Sequence, residues 1–329
     1  MKNLEKGART SSRSLPQVSR VFVRFLQRKF LHRRNVTKVQ RHLHSEKQCD
    51  HGAKASSLRK AARPPKIVCM QAATDLIEPI ERATLAAVSP QALHELPGWL
   101  LPLDTGTVGR AKSAVPLRHT ADNAQADLVH RMEQHYRARG MQASFRLPDV
   151  PSFDAMRLAL RDQGYRPEQP TLVQIAKVAA MRAVTAQLAA QVDSAPDAGW
   201  ASVFLGEGFD PVDGASRVET LSKASGTVFV SVREAGHTIA AAAGAFSHGW
   251  ASVHGMRTAQ AHRGRGLAAR VLAGIADTAL RKGLDDVFLQ VQEDNTSALA
   301  LYRRAGFQTA WKYVYWRVPP TKGCAADGC

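Results

Sequence analysis

"AHRGRGLAARVL", Ala261 to Leu272, sets two arginines and two glycines directly ahead of an apolar, alanine-rich run. The spacing of the apolar residues predicts a helix over 267–282, stopped by Gly283. A helix start leaves backbone N–H groups without intrahelical partners and carries partial positive charge, so it attracts anions. In His262-Arg263-Gly264-Arg265-Gly266-Leu267-Ala268, the glycines let the backbone close around phosphate oxygens, and the arginines add charge that pairs with them. The stretch suits a pyrophosphate. The plain alternative is a solvated loop before a structural helix.

A dinucleotide fingerprint uses similar letters, because Gly264-x-Gly266-x-x-Ala269 is followed by Asp285 at about the 20-residue spacing of that motif. Its context is wrong. The fingerprint opens straight out of a parallel strand, with its acid at the end of the second strand. Here mostly polar residues intervene, and Asp285 and Asp286 begin the next strand.

Outward from the loop, "TVFVSVR", "TIAAAAGAF" and "WASVHGM" read as three strands joined by the short turns "EAGH" and "SHG", hence antiparallel hairpins. A helix over 215–224 precedes them. On the other side lie the helix to Lys282, "DDVFLQV" as a buried strand, the helix "NTSALALYRRA" stopped by Gly306, and "AWKYVYWRV" as the last strand. The order is β-β-β-α-β-α-β.

Met256 to Phe307 resembles the GNAT (Gcn5-related) N-acetyltransferase family on two motifs. Arg263, Gly266 and Ala268 match the R-x-x-G-x-A form of the family's acetyl-coenzyme A loop. Asn295, Ala298, Tyr302, Gly306 and Phe307 match its N-x-x-A-x-x-x-Y-x-x-x-G-F helix. The resemblance implies acetyl-coenzyme A as co-substrate, no metal, and direct transfer of acetyl to a primary amine in a ternary complex. It also implies roles. Met256 and Thr258 would offer backbone groups to the thioester and pantetheine arm, where the family's fourth strand splays from the fifth. Gly264, Arg265, Gly266, Leu267, Ala268 and Ala269, with Arg263, would hold the pyrophosphate. Asn295 would contact the pantetheine, and Tyr302 would protonate the departing thiolate.

The sequence departs from the pattern at two positions. Gln260 stands where many members have proline, and Gln290 where some carry a carboxylate base. His254, Glu293 and Asp294 are the candidates for that base.

The preceding half reads as strands at 99–103 and 110–117, a helix at 122–139, a strand at 142–147, a helix at 152–163 and a strand at 171–176. "LALRDQGY" (Leu158 to Tyr165) echoes "LALYRRAGF" (Leu299 to Phe307), each closing a helix with glycine and an aromatic before a strand. The stretch "GWLLPLDTGTVGRAKSAVPL", Gly98 to Leu117, resembles the degenerate partner domain of tandem acetyltransferases. Aligning the echo sets Leu160 opposite Tyr302 and Phe153 opposite Asn295, so this half lacks the chemistry. The expected fold is α/β, two tandem GNAT-like domains at 70–187 and 188–320, each a mixed, mostly antiparallel twisted sheet flanked by helices. A tail occupies 321–329.

The net charge of +17 resides mostly in a basic extension, residues 1–69. Residues 1–66 hold 18 of the 45 lysines and arginines against Glu5, Glu46 and Asp50, leaving 27 basic and 25 acidic residues elsewhere. Three readings of it compete: an organellar transit peptide, a nucleic-acid-binding arm, and a disordered extension. Nucleic acid is expected only through this arm. The alternative to an enzyme is a non-catalytic module that senses acyl-coenzyme A or uses the arm to bind nucleic acid. The expected partner is an amine-bearing small molecule or peptide, and no membrane, since no stretch reaches the roughly 18 apolar residues of a span. Cys49, Cys69, Cys324 and Cys329 form no close ligand pattern and leave the second domain without an acyl-carrying thiol. They fit a reducing, cytoplasmic location, with an organelle as the alternative if 1–69 is a transit peptide.

Overall fold

The computed structural model describes residues 70–319. The expected extension and tail lie outside the described residues. The first element is α1 (Met70–Val88), with Pro79 inside it. Three strands, β1 (Ala92–Leu96), β2 (Trp99–Leu103) and β3 (Val115–Pro116), form a small antiparallel sheet. Strand β1 escapes sequence reading because its residues are exposed or half-buried, so no apolar alternation marks it.

Segment 110–117, expected as one strand, is a tight 3-10 turn over Gly109–Ala111 and then only two strand residues. Pro116 has no N–H to extend a ladder. The turn packs closely. A Cβ on Gly109 would stand 2.7 Å from Nη2 of Arg317.

There follow α2 (Asp127–Arg137), β4 (Phe145–Pro148), α3 (Asp154–Asp162), β5 (Arg166–Lys177), α4 (Val178–Arg182), β6 (Gln191–Asp193), α5 (Ala198–Ser202) and α6 (Pro211–Lys223). The anticipated β-β-β-α-β-α-β series then appears as β7 (Val228–Glu234), β8 (His237–Ser247), β9 (Trp250–Thr258), α7 (Leu267–Arg281), β10 (Asp286–Gln292), α8 (Thr296–Arg304) and β11 (Gln308–Arg317).

Eight strands make one mixed sheet in the order β4-β11-β5-β10-β9-β8-β7-β6. Only the β9–β10 ladder in it is parallel. The separate sheets expected for 70–187 and 188–320 are therefore not what forms, because the main sheet runs across that boundary. The reason lies in two strand-helix-strand units, β4-α3-β5 and β10-α8-β11. Strand β5 pairs with β10, and β11 pairs with β4, so each unit's closing strand lies against the other unit's opening strand. The two closing strands also pair with each other, from Gln308 opposite Ile175 to Arg317 opposite Arg166.

Both units turn the corner in the same way. Gly164 and Gly306 adopt φ of 87° and 83°, and the amides of Tyr165 and Phe307 donate to the carbonyls of Leu160 and Tyr302, each at 2.9 Å. This is a glycine C-cap with its bond reaching back to the last helical turn. The echoed sequences thus have one structural cause.

Helix α7 lays Val271, Leu272, Ile275 and Ala276 on one face of the sheet, against Val230, Ala242, Val287 and Leu289. Small residues permit the close approach: a Cβ on Gly274 would be 3.1 Å from the carbonyl oxygen of Ala190. Helix α1 covers the other face with Ile80 and Ala83, which pack with Val173, Phe288, Tyr313 and Tyr315. Among the described residues, no helix is long and apolar enough to cross a membrane.

Candidate active site

Strands β9 and β10 pair only where Ala251, Ser252 and Val253 face Val287, Phe288 and Leu289. Beyond Val253 the two strands separate. Strand β9 stays on β8 but is bulged, with Ala241 opposite Arg257 and Ala243 opposite His254. Gly255 makes the bulge at φ 59°, and a Cβ there would meet Cδ1 of Leu221 at 2.7 Å. The gap opens into a cleft of about 810 Å³.

Met256, Asn295 and Tyr302 line this cleft together. Thr258 ends β9 beyond it, and Gly264 to Ala269 are not among its lining residues. Asn295 caps α8, its Oδ1 accepting from the Ala298 amide at 3.2 Å, which leaves the side-chain NH₂ unspent. Tyr302 is 7% exposed, with its ring edge-on to Phe307 at 5.7 Å. Its hydroxyl makes no hydrogen bond among the described residues. Burial raises its pKa, so the phenol keeps its proton at neutral pH.

The loop before α7 fits an anion. Gly266, at φ 76°, is the N-cap and supplies no side-chain acceptor to the helix. Gly264 is at φ 78°, and a Cβ on either glycine would meet nothing within 4 Å. Left-handed backbone, not crowding, is what calls for glycine here. Leu267 and Ala269 turn their side chains into the core, and the Ala269 amide, expected to face the pyrophosphate, instead donates to the Gly266 carbonyl at 3.1 Å, so the open amides lie before it. Arg263 is exposed. The Arg265 guanidinium is taken by Glu234 at 2.7 Å and His262 at 2.8 Å.

None of the three candidate bases lines the cleft. Glu293 and Asp294 border a separate depression with Gln169 and Pro170. His254 is buried at 4% exposure, its Nε2 2.8 Å from Oγ of Ser252. Burial, helped by the charge of Arg110, pushes its pKa down to about 3. The unfolded histidine takes up a proton near 6.5 while the folded one does not, so the unfolded state binds more protons between these values. Stability is expected to fall as pH drops below about 6.5, by up to about 1.4 kcal/mol per pH unit from this group. Urea unfolding of wild type and His254→Gln at pH 7.5 and 5 checks this: the variant should lose less stability between the two.

On the α1 side of the sheet, Gln290 holds a network that sequence reading missed. Its Oε1 accepts from Tyr313 Oη at 3.0 Å and from Arg110 Nη1 at 3.4 Å, and its Nε2 donates to Thr84 at 2.9 Å. Beneath it, Glu81 and Arg146 form a buried ion pair at 2.9 Å. Desolvation nevertheless raises the Glu81 pKa, with Arg146 and Arg110 acting against that. The available signal was the alternation of Tyr313 and Tyr315 in the last strand, with two phenols on one face. Arg110 had none, because it sits in a segment that read as strand.

A mixed sheet split at its parallel pair, with an uncapped glycine loop on one side and a buried tyrosine beside the split, is the architecture of the GNAT N-acetyltransferases. A family model described as "Probable histone acetyltransferase Rv0428c C-terminal" matches residues 74–316, and the chain belongs to that family. It is an acetyltransferase enzyme. The chain is 24% identical over 247 residues to the "Uncharacterized N-acetyltransferase YobR" of Bacillus subtilis (strain 168), covering 73% of this chain and 98% of the relative. It is 43% identical over 67 residues to the "N-alpha-acetyltransferase RimI" of Mycobacterium tuberculosis (strain ATCC 25618 / H37Rv), covering 20% of this chain and 40% of the relative. Among solved structures, a GCN5-related N-acetyltransferase from Kribbella flavida superposes with a TM-score of 0.56 at 18% identity, over 74% of this chain and 96% of that one. This last likeness carries the fold alone.

Proposed function

We propose that the protein transfers acetyl from acetyl-coenzyme A to a primary amine by direct attack within a ternary complex. The observation that carries this is the parting of β9 from β10 after Val253 and Leu289, with Met256, Asn295 and Tyr302 on the cleft it opens. Acetyl-coenzyme A supplies the activated acetyl group. The amides from Gly264 to Ala268 would hold its pyrophosphate, where the first turn of α7 offers donors without intrahelical partners. Backbone groups of Met256 and Thr258 lie on the strand edge that β10 leaves and would take the pantetheine arm, and Asn295 would add its free NH₂. Tyr302 would give its phenolic proton to sulfur as the carbon–sulfur bond breaks.

Two GNAT-like halves, 70–187 and 188–320, account for the exchanged strands and the matched glycine caps. In the first half Leu160 stands where the second has Tyr302, which supports a single active site. A screen of amines with acetyl-coenzyme A, read by thiol release, tests the activity. Amine-dependent release is expected; its absence across peptides, amino acids, amino sugars and polyamines would overturn the reading.

A further inference from the structure

We propose that the acceptor carries, besides its primary amine, a carboxylate or phosphate that Arg110 and Lys112 bind on the α1 side of the cleft. This rests on the acetyl-transfer reading and narrows its substrate.

The cleft is lined by five cationic side chains and two carboxylates. Of the two carboxylates, only Asp213 is held by cations. Asp213 receives Arg217 at 2.6 Å, Arg257 at 3.0 Å and the Thr107 hydroxyl at 2.9 Å. Asp104 accepts the Gly106 amide at 2.6 Å. Arg317 is paired with Glu168, and below the cleft Glu81 is held by Arg146. Among the described residues, neither Arg110 nor Lys112 meets a carboxylate within ion-pair distance. Arg110 reaches only the Gln290 amide oxygen at 3.4 Å, and its Nε is buried without a partner. Its Nη2 makes no hydrogen bond among the described residues and, unlike Nε, is not closed off, so a ligand oxygen would find a free donor there. Arg110 brings a planar fork and Lys112 a point charge to the same cleft, donors suited to a carboxylate or phosphate.

The same charges bear on the missing base. An ammonium ion entering beside Arg110 meets a like charge, which favours its neutral, nucleophilic form. An anion elsewhere on the acceptor offsets that repulsion for the molecule as a whole. A polyamine lacks the offset and is disfavoured. No residue in the position of Gln290 then has to remove the proton, which can leave through solvent in the open cleft.

The test compares acceptors matched in the amine and differing in the anion: alanylalanine with alanylalaninamide, glucosamine 6-phosphate with glucosamine, and spermidine as polycation. The full chain is assayed for kcat/KM by thiol release from acetyl-coenzyme A, and the same compounds are titrated calorimetrically. The anionic member of at least one pair should be preferred about 10-fold or more, the increment of one charge-assisted hydrogen bond. The pair that discriminates tells carboxylate from phosphate. Lys112→Gln, at a side chain that makes no hydrogen bond or ion pair among the described residues, should bring that ratio towards one while leaving acetyl-coenzyme A affinity unchanged. Arg110→Gln should do the same if the fold, checked by its melting temperature, is kept. Equal kcat/KM within both pairs, or spermidine as the best acceptor, overturns the proposal. If no amine releases thiol, acetyl transfer itself fails, and the titrations still decide: neutral members binding as tightly as anionic ones refute the anion site.

Discussion

Tyr302→Phe is expected to lower kcat by about 10²- to 10⁴-fold, the range lost with a general acid, while acetyl-coenzyme A binds almost as before. The substitution removes one hydroxyl and keeps the ring against Phe307 and the core. No hydrogen bond to the protein is broken, so the fold should be nearly indifferent to it. The hydroxyl is also in the right protonation state, since burial raises its pKa and keeps the proton available. An acceptor assay with chemistry shown to be rate-limiting separates the roles. If kcat stays above about a third of wild type, Tyr302 is a packing residue and the proton comes from water. A thioester with a more acidic thiol should lose less on substitution, because its leaving group needs the acid less.

Gly266→Glu is expected to weaken acetyl-coenzyme A binding by about 100-fold or more, the loss of one or two charge-assisted hydrogen bonds of about 1.5–3 kcal/mol each. The open space around Gly266 is where phosphate oxygens would approach the amides, and a carboxylate there repels them. A side chain at φ 76° also strains the backbone by roughly 1–2 kcal/mol. Gly266→Asn separates the two effects, because asparagine tolerates this conformation and carries no charge. Calorimetry should find the asparagine variant much closer to wild type than the glutamate variant. Normal affinity in the glutamate variant would remove the loop from the binding site.

The second half of the chain was legible because its signals are local. Glycine stops at Gly283 and Gly306, two short hairpin turns and a 3.6-residue apolar period fix the elements between Val228 and Arg317. The motif residues Met256, Asn295 and Tyr302 do meet in one cleft. What sequence could not disclose depends on pairing between distant strands. Nothing near Arg166 announces that β5 will lie between β10 and β11, since the ladder partners are more than a hundred residues away. The fragment around Arg110 failed for a related reason: its apolar neighbours suggest a strand, yet the close approach of Gly109 to Arg317 makes it a turn. That turn brings Arg110 under Gln290. His254, Glu293 and Asp294 were plausible bases by residue type, but burial and position keep all three from lining the cleft.

Direct acetyl transfer is tested most directly by measuring thiol and N-acetyl product together in one time course, with and without the acceptor found in the screen. The account expects thiol to appear only with the amine present, one equivalent for each N-acetyl product formed, and to fall together with product in Tyr302→Phe. A stoichiometric burst of thiol before any amine is added, leaving acetyl on the protein, would contradict it.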